Sequence, residues 1–187
     1  MSTLDENLLN KIKVKRIEEF YIDQTLHTNI SQLLLESFST YPEGLSYYKQ
    51  IPDFRYLVWY NDLLIAHLAV DHRLMSLNGE PIKVFGVTDL CVANDYQQRG
   101  IASHLLERLT KLGRDCQIDF MVLMAKEHQL YLDNGFKLVE NDCQWMMMNE
   151  YRSLGIIHRR INFSMMVKKI GDKSWKKGFV DFLGHIF

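Results

Sequence analysis

The stretch DYQQRGIASHLLERL, residues 95–109, carries the strongest local signal in the chain, because its character changes at Gly100. The run KVFGVTDLCV stands just before it, is rich in β-forming residues and predicts a strand. After Gly100, the apolar residues Ile101, Leu105 and Leu109 recur at helical spacing. The chain therefore passes from a strand to an amphipathic helix through glutamine, arginine and glycine.

A helix start of this composition is suited to an anion. The N–H groups of the first turn have no helical partner, and the helix dipole adds partial positive charge there. Gly100 permits close approach to the backbone, Ala102 keeps the next turn small, and Arg99 adds a cation. Phosphate is the expected ligand, although a helix start that only needs a flexible residue has the same pattern. Neither a Walker loop nor a GxGxxG fingerprint is present.

The remaining patterns predict one α/β domain over residues 1–187, without a linker or repeat. Asn78-Gly79 predicts a type I′ hairpin turn, and Asn141-Asp142 predicts another hairpin turn. The aromatic tail after residue 170 is expected to dock on the body. Strands are predicted at residues 11–20, 54–60, 63–77, 81–92, 118–125, 136–151 and 162–170. Helices are predicted at residues 25–38, after Gly100, at 45–50 and from Lys126 to Asn134-Gly135.

Composition excludes several function classes. The 187 residues are 47% hydrophobic and 24% charged, and their formal net charge is -1, which gives no electrostatic basis for a nucleic-acid or membrane partner. No apolar run approaches the roughly 20 residues of a membrane helix, and no signal peptide is evident, so a cytoplasmic protein is predicted. The three cysteines are isolated, which predicts neither a disulfide nor a metal site. Cys91 is interpreted as a buried small hydrophobe rather than a nucleophile.

A second motif, YLDNGF at residues 131–136, follows the predicted buried strand and a short helix. With it, the sequence resembles the GCN5-related N-acetyltransferase (GNAT) family. The family signature [QR]-x-x-G-x-[GA] is met by Gln97, Gly100 and Ala102, and its later Tyr-x-x-x-Gly-Phe is met by Tyr131, Gly135 and Phe136. The stretch 63–92 is most similar to the aminoglycoside 2′-N-acetyltransferase and nodulation acyltransferase branch.

This resemblance implies a GNAT-like α/β (α+β) fold. Its central sheet would be mixed and mostly antiparallel, with about seven strands, helices on both faces and a splayed parallel pair at the cofactor cleft. It implies an acetyl-CoA-dependent N-acetyltransferase that acts on a primary amine of a small molecule, such as an amino sugar, as a monomer or homodimer. A non-catalytic acyl-CoA-binding module with the same fold is the alternative, and a structural protein without CoA binding is a third possibility.

The resemblance also assigns the CoA contacts. The pantetheine arm would pair with the backbone of one strand end, and the pyrophosphate would lie on the N–H groups of the following turn. A backbone N–H near Val92 would stabilise the oxyanion. The cofactor-binding residues are thus expected to be Leu90, Cys91, Val92, Gln97, Gln98, Arg99, Gly100, Ile101, Ala102 and Ser103.

Two side chains are candidates for the chemistry. Tyr131 matches the family tyrosine near the CoA sulfur and is the expected general acid, with a packing role in the core as the alternative. Asp89 is the candidate base or amine anchor. In the aminoglycoside branch a glutamate stands at the position of Thr88, and a shift by one residue reverses the face of a strand unless a bulge corrects it. A structural hydrogen bond is the alternative role for Asp89.

Other features of the acceptor side stay open. Glu43, Asp71 and His67 are weaker candidates for the base, and a water chain would also suffice. Many family members carry an asparagine near the position of Met124, and this chain does not. The aromatic residues could line an acceptor pocket or form a small secondary core. These aromatic residues are Tyr41, Tyr47, Tyr48, Trp145, Trp175 and Phe187. Glu43 belongs to the same expected acceptor region.

Overall fold

The computed structural model describes Leu8 and residues 10–187. In chain order, the elements are β1 (Lys13–Glu18), α1 (Gln24–Ser37), β2 (Phe54–Tyr60), β3 (Leu63–Leu77), β4 (Glu80–Val92), α2 (Ile101–Asp115), β5 (Phe120–Met124), α3 (Gln129–Asp133), β6 (Lys137–Leu138), β7 (Asn141–Asn149), β8 (Arg152–Ile161), β9 (Met165–Lys169) and β10 (Phe179–His185). The strands belong to one mixed sheet, mostly antiparallel, with β4–β5 and β10–β7 as parallel pairs. The predicted fold class is confirmed, with ten strands in the described residues rather than about seven.

The first of two compact units comprises the described residues up to Val70 and Asp89–Leu106. Strand β2 pairs antiparallel with β1 on one side and with the first half of β3 on the other. Asp23 caps the start of helix α1, and its side chain accepts the N–H of Leu26 (2.8 Å). The helix and the strands bury a common core, made of Ile30, Leu33, Leu34, Leu57, Leu64 and Cys91.

The helix predicted at residues 45–50 is wrong, because this segment consists of bends. The carbonyl of Ser46, which would accept a helical hydrogen bond, accepts one from Nη1 of Arg55 instead (2.6 Å). Lys49 has a φ of 70°, which is incompatible with a right-handed helix. Tertiary contacts thus override the local propensity of this segment.

The second unit comprises Asp71–Thr88 and Glu107–Phe187. Strand β5 is central in it, parallel to β4 through pairs from Val84–Phe120 to Gly86–Val122, and antiparallel to β9. On one face, Thr110 of α2 contacts the sulfur of Met121 (3.6 Å). On the other, Phe120 and Val122 join a large apolar core. Burial on both faces accounts for the continuous apolar run from which β5 was predicted.

Two expectations for residues 136–170 need correction. Asn141 does not form a turn but begins β7, and its amide donates to the carbonyls of Lys176 (3.2 Å) and Gly178 (2.9 Å). The hairpin turn lies at Glu150 and Tyr151, which have φ values of 45° and 62°. Strand β8 follows this turn and was not predicted, because it is largely exposed and lacks an apolar face.

The Asn78-Gly79 turn and the docking of the tail are confirmed. Asn78 and Gly79 have φ values of 55° and 86°, as a type I′ turn requires. The side chain of Asn78 accepts the N–H of Phe179 (2.8 Å) and donates to the carbonyl of Lys177 (3.0 Å). Strand β10 then pairs with β3 and β7. The tail is thereby an integral part of the sheet.

The end of the tail packs over a glycine in β4. The ring of Phe187 occupies the space that a Cβ on Gly86 would fill. The guanidinium of Arg73 lies 4.2 Å from the centre of this ring, and the ring of Phe182 lies 5.7 Å away. Nε2 of His185 is 3.3 Å from Oδ2 of Asp71. Phe187 therefore belongs to the packing of the second unit.

Candidate functional site

The glutamine-rich loop after β4 is braced by its own first motif residue. Nε2 of Gln97 donates to the carbonyl of Val92 (3.1 Å) and to Oδ1 of Asn94 (3.0 Å). A 3-10 turn over Asn94–Tyr96 connects the end of the strand to Gln97. Gln97 thus fastens the loop to the end of the strand.

The loop then turns sharply into helix α2. Gln98 and Gly100 have φ values of 58° and 83°, in the left-handed region that favours glycine. The carbonyl of Gly100 accepts the N–H of His104 (2.9 Å), so Gly100 caps the helix. The N–H groups of Ile101 and Ala102 have no carbonyl ahead of them in the helix. Backbone dipoles and the helix start together provide partial positive charge for an anion.

A cation stands beside this helix start. Arg99 is exposed, and its guanidinium carbon lies 5.8 Å from the centre of the Tyr96 ring. The Tyr96 ring in turn lies 5.7 Å from the ring of Tyr60. The Tyr96 ring holds the guanidinium near the loop, and Tyr60 packs against this ring. The geometry and charge of the loop therefore suit a phosphate group.

Strand β4 is kinked at Asp89, which has a φ of 50°. A left-handed residue inside a strand interrupts the alternation of faces, as a bulge does. The carbonyl of Asp89 accepts a hydrogen bond from Nδ1 of His67 (2.8 Å), and its Oδ2 accepts one from the hydroxyl of Tyr41 (2.8 Å). The strand therefore contains an irregularity at Asp89, of the kind that allows Asp89 to point to the face expected for position 88.

Tyr41 acts as a donor to this carboxylate. Burial and the neighbouring charge of Asp89 raise the pKa of Tyr41 far above its usual value, so the phenol stays protonated. Its ring centre lies 6.0 Å from that of Phe38 and 6.4 Å from that of Tyr48. Asp89 is partly exposed, and its carboxylate beside Tyr41 is chemically suited to an ammonium group.

His67 connects Asp89 to a buried arginine, Arg55. Arg55 has 0% exposure, and its Nε and Nη2 donate to the carboxylate of Glu19 (2.6 and 2.9 Å). Its Nη1 donates to the carbonyl of Ser46 (2.6 Å) and lies 2.8 Å from Nε2 of His67. The bidentate pair with Glu19 compensates the burial of the guanidinium charge.

His67 is not available as a base. Burial and the charge of Arg55 lower the pKa of His67 to about 3. Both ring nitrogens are also engaged, Nε2 with Arg55 and Nδ1 with the carbonyl of Asp89. His67 is therefore a neutral link between these two residues.

Tyr131 lies in helix α3 of the second unit. Its carbonyl accepts the N–H groups of Asn134 (3.1 Å) and Phe136 (3.0 Å), while Gly135 has a φ of 82°. The Tyr131 and Phe136 rings pack edge to face with centres 5.7 Å apart. Burial raises the pKa of Tyr131. The second motif thus closes a short helix and leaves a protonated phenol partly buried.

The structure separates the other candidates by environment. Cys91 is buried against α1, and burial raises the pKa of its thiol to about 12, which confirms its interpretation as a small hydrophobe. Glu43 is exposed. The indole N–H of Trp175 donates to Oδ1 of Asn141 (3.0 Å), and this indole packs with Trp145 against the core of the second unit. These two tryptophans pack against the large apolar core of the second unit rather than forming a separate small one.

Pattern reasoning missed Glu19, Ser46 and Arg55. The one available signal was a charged residue inside the strand-forming run FRYLVWY. In the described part of the chain, no group of three or more His, Cys, Asp or Glu side chains is arranged to hold a metal. None of the helices described there is long and apolar enough to cross a membrane.

Comparison with known proteins places the chain. A family model described as an acetyltransferase (GNAT) domain matches residues 16–139, more than half of the chain. The GNAT family N-acetyltransferase YhbS from Escherichia coli, solved in complex with CoA, is 16% identical and has a TM-score of 0.66, with 91% of this chain and 89% of that chain covered. No curated protein matches the sequence.

Two further solved structures share the fold. The ribosomal-protein-S18-alanine N-acetyltransferase from Escherichia coli is 13% identical with a TM-score of 0.56, over 87% of this chain and 97% of that chain. Eis1 from Mycobacterium abscessus is 13% identical with a TM-score of 0.59, over 71% of this chain but only 33% of its own length. At these identities, the likeness concerns the fold.

Proposed function

The chain belongs to the GNAT acetyltransferase family, and we propose that it transfers an acetyl group from acetyl-CoA to a primary amine of a small molecule, such as an amino sugar. The observation that carries the proposal is the left-handed Gly100 at the start of α2, next to a strand that bears the kinked Asp89. The first feature suits a phosphate anion, and the second suits an ammonium cation.

The loop fits the pyrophosphate of CoA. The backbone from Gln98 to Ser103 would hold it, with Arg99 as the neighbouring cation and Gln97 as the brace of the loop. The backbone of Leu90, Cys91 and Val92 would pair with the pantetheine arm as an added strand. The backbone N–H near Val92 would donate to the oxyanion that develops on the carbonyl.

The remaining residues supply the acceptor side and the proton transfers. Acetyl-CoA supplies an activated acyl group, whose C–S bond breaks as the C–N bond to the amine forms. Asp89 binds the incoming ammonium and takes its proton, either directly or through water. Tyr41 holds one oxygen of Asp89 by its 2.8 Å hydrogen bond. Tyr131, matched to the family motif, donates to the leaving thiolate.

Thiol release from acetyl-CoA over a panel of amines tests this function. Amino sugars should be paired with the same sugars that carry a hydroxyl in place of the amine. We expect release of CoA thiol with at least one amine and none with its hydroxyl counterpart. CoA binding without thiol release across the whole panel would instead identify a non-catalytic acyl-CoA-binding module.

A further inference from the structure

The backbone carbonyl of Asp89 ends a chain of hydrogen bonds that begins at Glu19. Glu19 holds Arg55 with two bonds, Arg55 donates to His67, and His67 donates to Asp89. The proposed acyl transfer uses none of the first three residues. We infer that Arg55 and His67 are positioning residues, which hold Asp89 in its left-handed conformation and thereby aim its carboxylate at the acceptor amine. This inference rests on the proposed function.

The direction of each bond follows from the chemistry of arginine. A guanidinium has only donors and is not deprotonated in proteins, so Nε2 of His67 must accept from Arg55. Nδ1 of His67 then carries the ring proton and donates to the carbonyl of Asp89 (2.8 Å). The arginine thus selects one tautomer of the histidine, and that tautomer holds the carbonyl.

The conformation of Asp89 needs such support. The left-handed conformation is unfavourable for a residue other than glycine, and it persists where the surroundings over-determine it. Here the carbonyl of Asp89 is held by His67 and its carboxylate by Tyr41. Both ends of one residue are therefore fixed, which gives the carboxylate a defined direction.

Arg55 also orders the other partner of this carboxylate. The carbonyl of Ser46, which accepts from Nη1 of Arg55 at 2.6 Å, lies in the irregular segment between Tyr41 and Tyr48. Ser46 is fully buried. A single guanidinium is thus bonded both to His67 and to the segment that carries Tyr41, so loss of either bond should disturb the same carboxylate.

The tautomer can be measured without any variant. Ring 15N chemical shifts of the full chain should show His67 as the neutral Nδ1–H tautomer at neutral pH. An Nε2–H tautomer or a protonated ring would overturn the inference. This readout does not depend on turnover, so it stands even where no accepted amine is found.

A matched pair of variants tests the effect on catalysis. Glutamine at position 67 offers an amide oxygen as acceptor and an amide nitrogen as donor, whereas methionine of similar size offers no donor and only a weak sulfur acceptor. We expect His67→Met to lower kcat/KM for the amine by roughly 10- to 100-fold, as a small displacement of a reacting group does. His67→Gln should recover most of this loss, and the Kd for CoA should change less than about threefold in both. Equal losses in the two variants would overturn the inference.

A double-mutant cycle separates positioning from general destabilisation. If His67 acts through Asp89, then His67→Met should have little further effect on kcat/KM in an Asp89→Asn background. An equal loss in both backgrounds would assign His67 to folding alone. If the unaltered protein releases no thiol with any amine, the proposed function is refuted. The tautomer of His67 then tests the hydrogen-bond chain from Glu19 to Asp89 independently.

Discussion

The hydroxyl of Tyr41 donates to Oδ2 of Asp89 at 2.8 Å, across 48 positions of sequence. We expect Tyr41→Phe to lower kcat/KM for the amine by about tenfold, because a hydrogen bond to a charged group contributes about 1.5–3 kcal/mol. The Kd for CoA should stay unchanged. The control is Tyr21→Phe, which removes a hydroxyl from a ring that is 70% exposed. An unaltered kcat/KM for Tyr41→Phe would separate Tyr41 from the acceptor site.

Gly100→Glu should abolish binding of CoA, since it adds a bulky negative charge at the helix start. Gly79→Glu controls for the backbone strain, because Gly79 also has a positive φ (86°), although it is exposed whereas Gly100 is buried. Both variants carry a similar backbone strain of about 1–2 kcal/mol. CoA at about 100 times its Kd should stabilise the control by about 2.7 kcal/mol and leave Gly100→Glu unaffected. Equal stabilisation of the two would refute the phosphate assignment of the loop.

Tyr131→Phe should reduce kcat more than it weakens CoA binding. The ring remains to pack against Phe136, whose centre lies 5.7 Å away, so the variant removes only the phenolic hydroxyl. Steady-state kinetics with saturating acetyl-CoA and a separate CoA titration distinguish the two effects. Full turnover of the variant would leave Tyr131 with a packing role in α3.

The stability of the fold should depend on pH through His67. Its pKa is about 3 in the folded chain and about 6.5 when unfolded, so below pH 6.5 the unfolded state binds a proton that the folded state does not. The contribution of His67 to the free energy of unfolding is fully present above pH 6.5. It falls by about 1.4 kcal/mol per pH unit as the pH drops towards 3. Denaturant unfolding of the unaltered protein and of His67→Gln between pH 4 and 7 measures the difference. If the free energies of unfolding of the two proteins change equally with pH, the expectation is contradicted.

Features that depend on neighbouring residues could be predicted from the sequence. The Asn78-Gly79 turn needs only two residues that tolerate positive φ, and both adopt it. The strand, loop and helix around Gly100 likewise lie together in the chain. The two motifs were also sufficient to identify the family, whose model matches residues 16–139.

Features that depend on distant pairing could not be predicted. Arg55 lies 36 positions from Glu19 and 12 from His67, and no periodic pattern connects them. Strand β2 is buried on both faces around Arg55, so its sequence does not alternate between apolar and polar residues. The pattern therefore gives no sign that Arg55 is buried. Strand β8 was missed for the opposite reason, since nine of its ten residues are at least partly exposed.

The hydrogen bonds of Asn78 have a consequence for the chemical ageing of the protein. An asparagine followed by glycine loses its amide readily, because the next backbone nitrogen can attack the side-chain carbonyl. Here that amide is held by the N–H of Phe179 (2.8 Å) and the carbonyl of Lys177 (3.0 Å), at the start of β10. Deamidation requires both bonds to open. The slow conversion of Asn78 to aspartate and isoaspartate therefore reports how often its two bonds to Lys177 and Phe179 open.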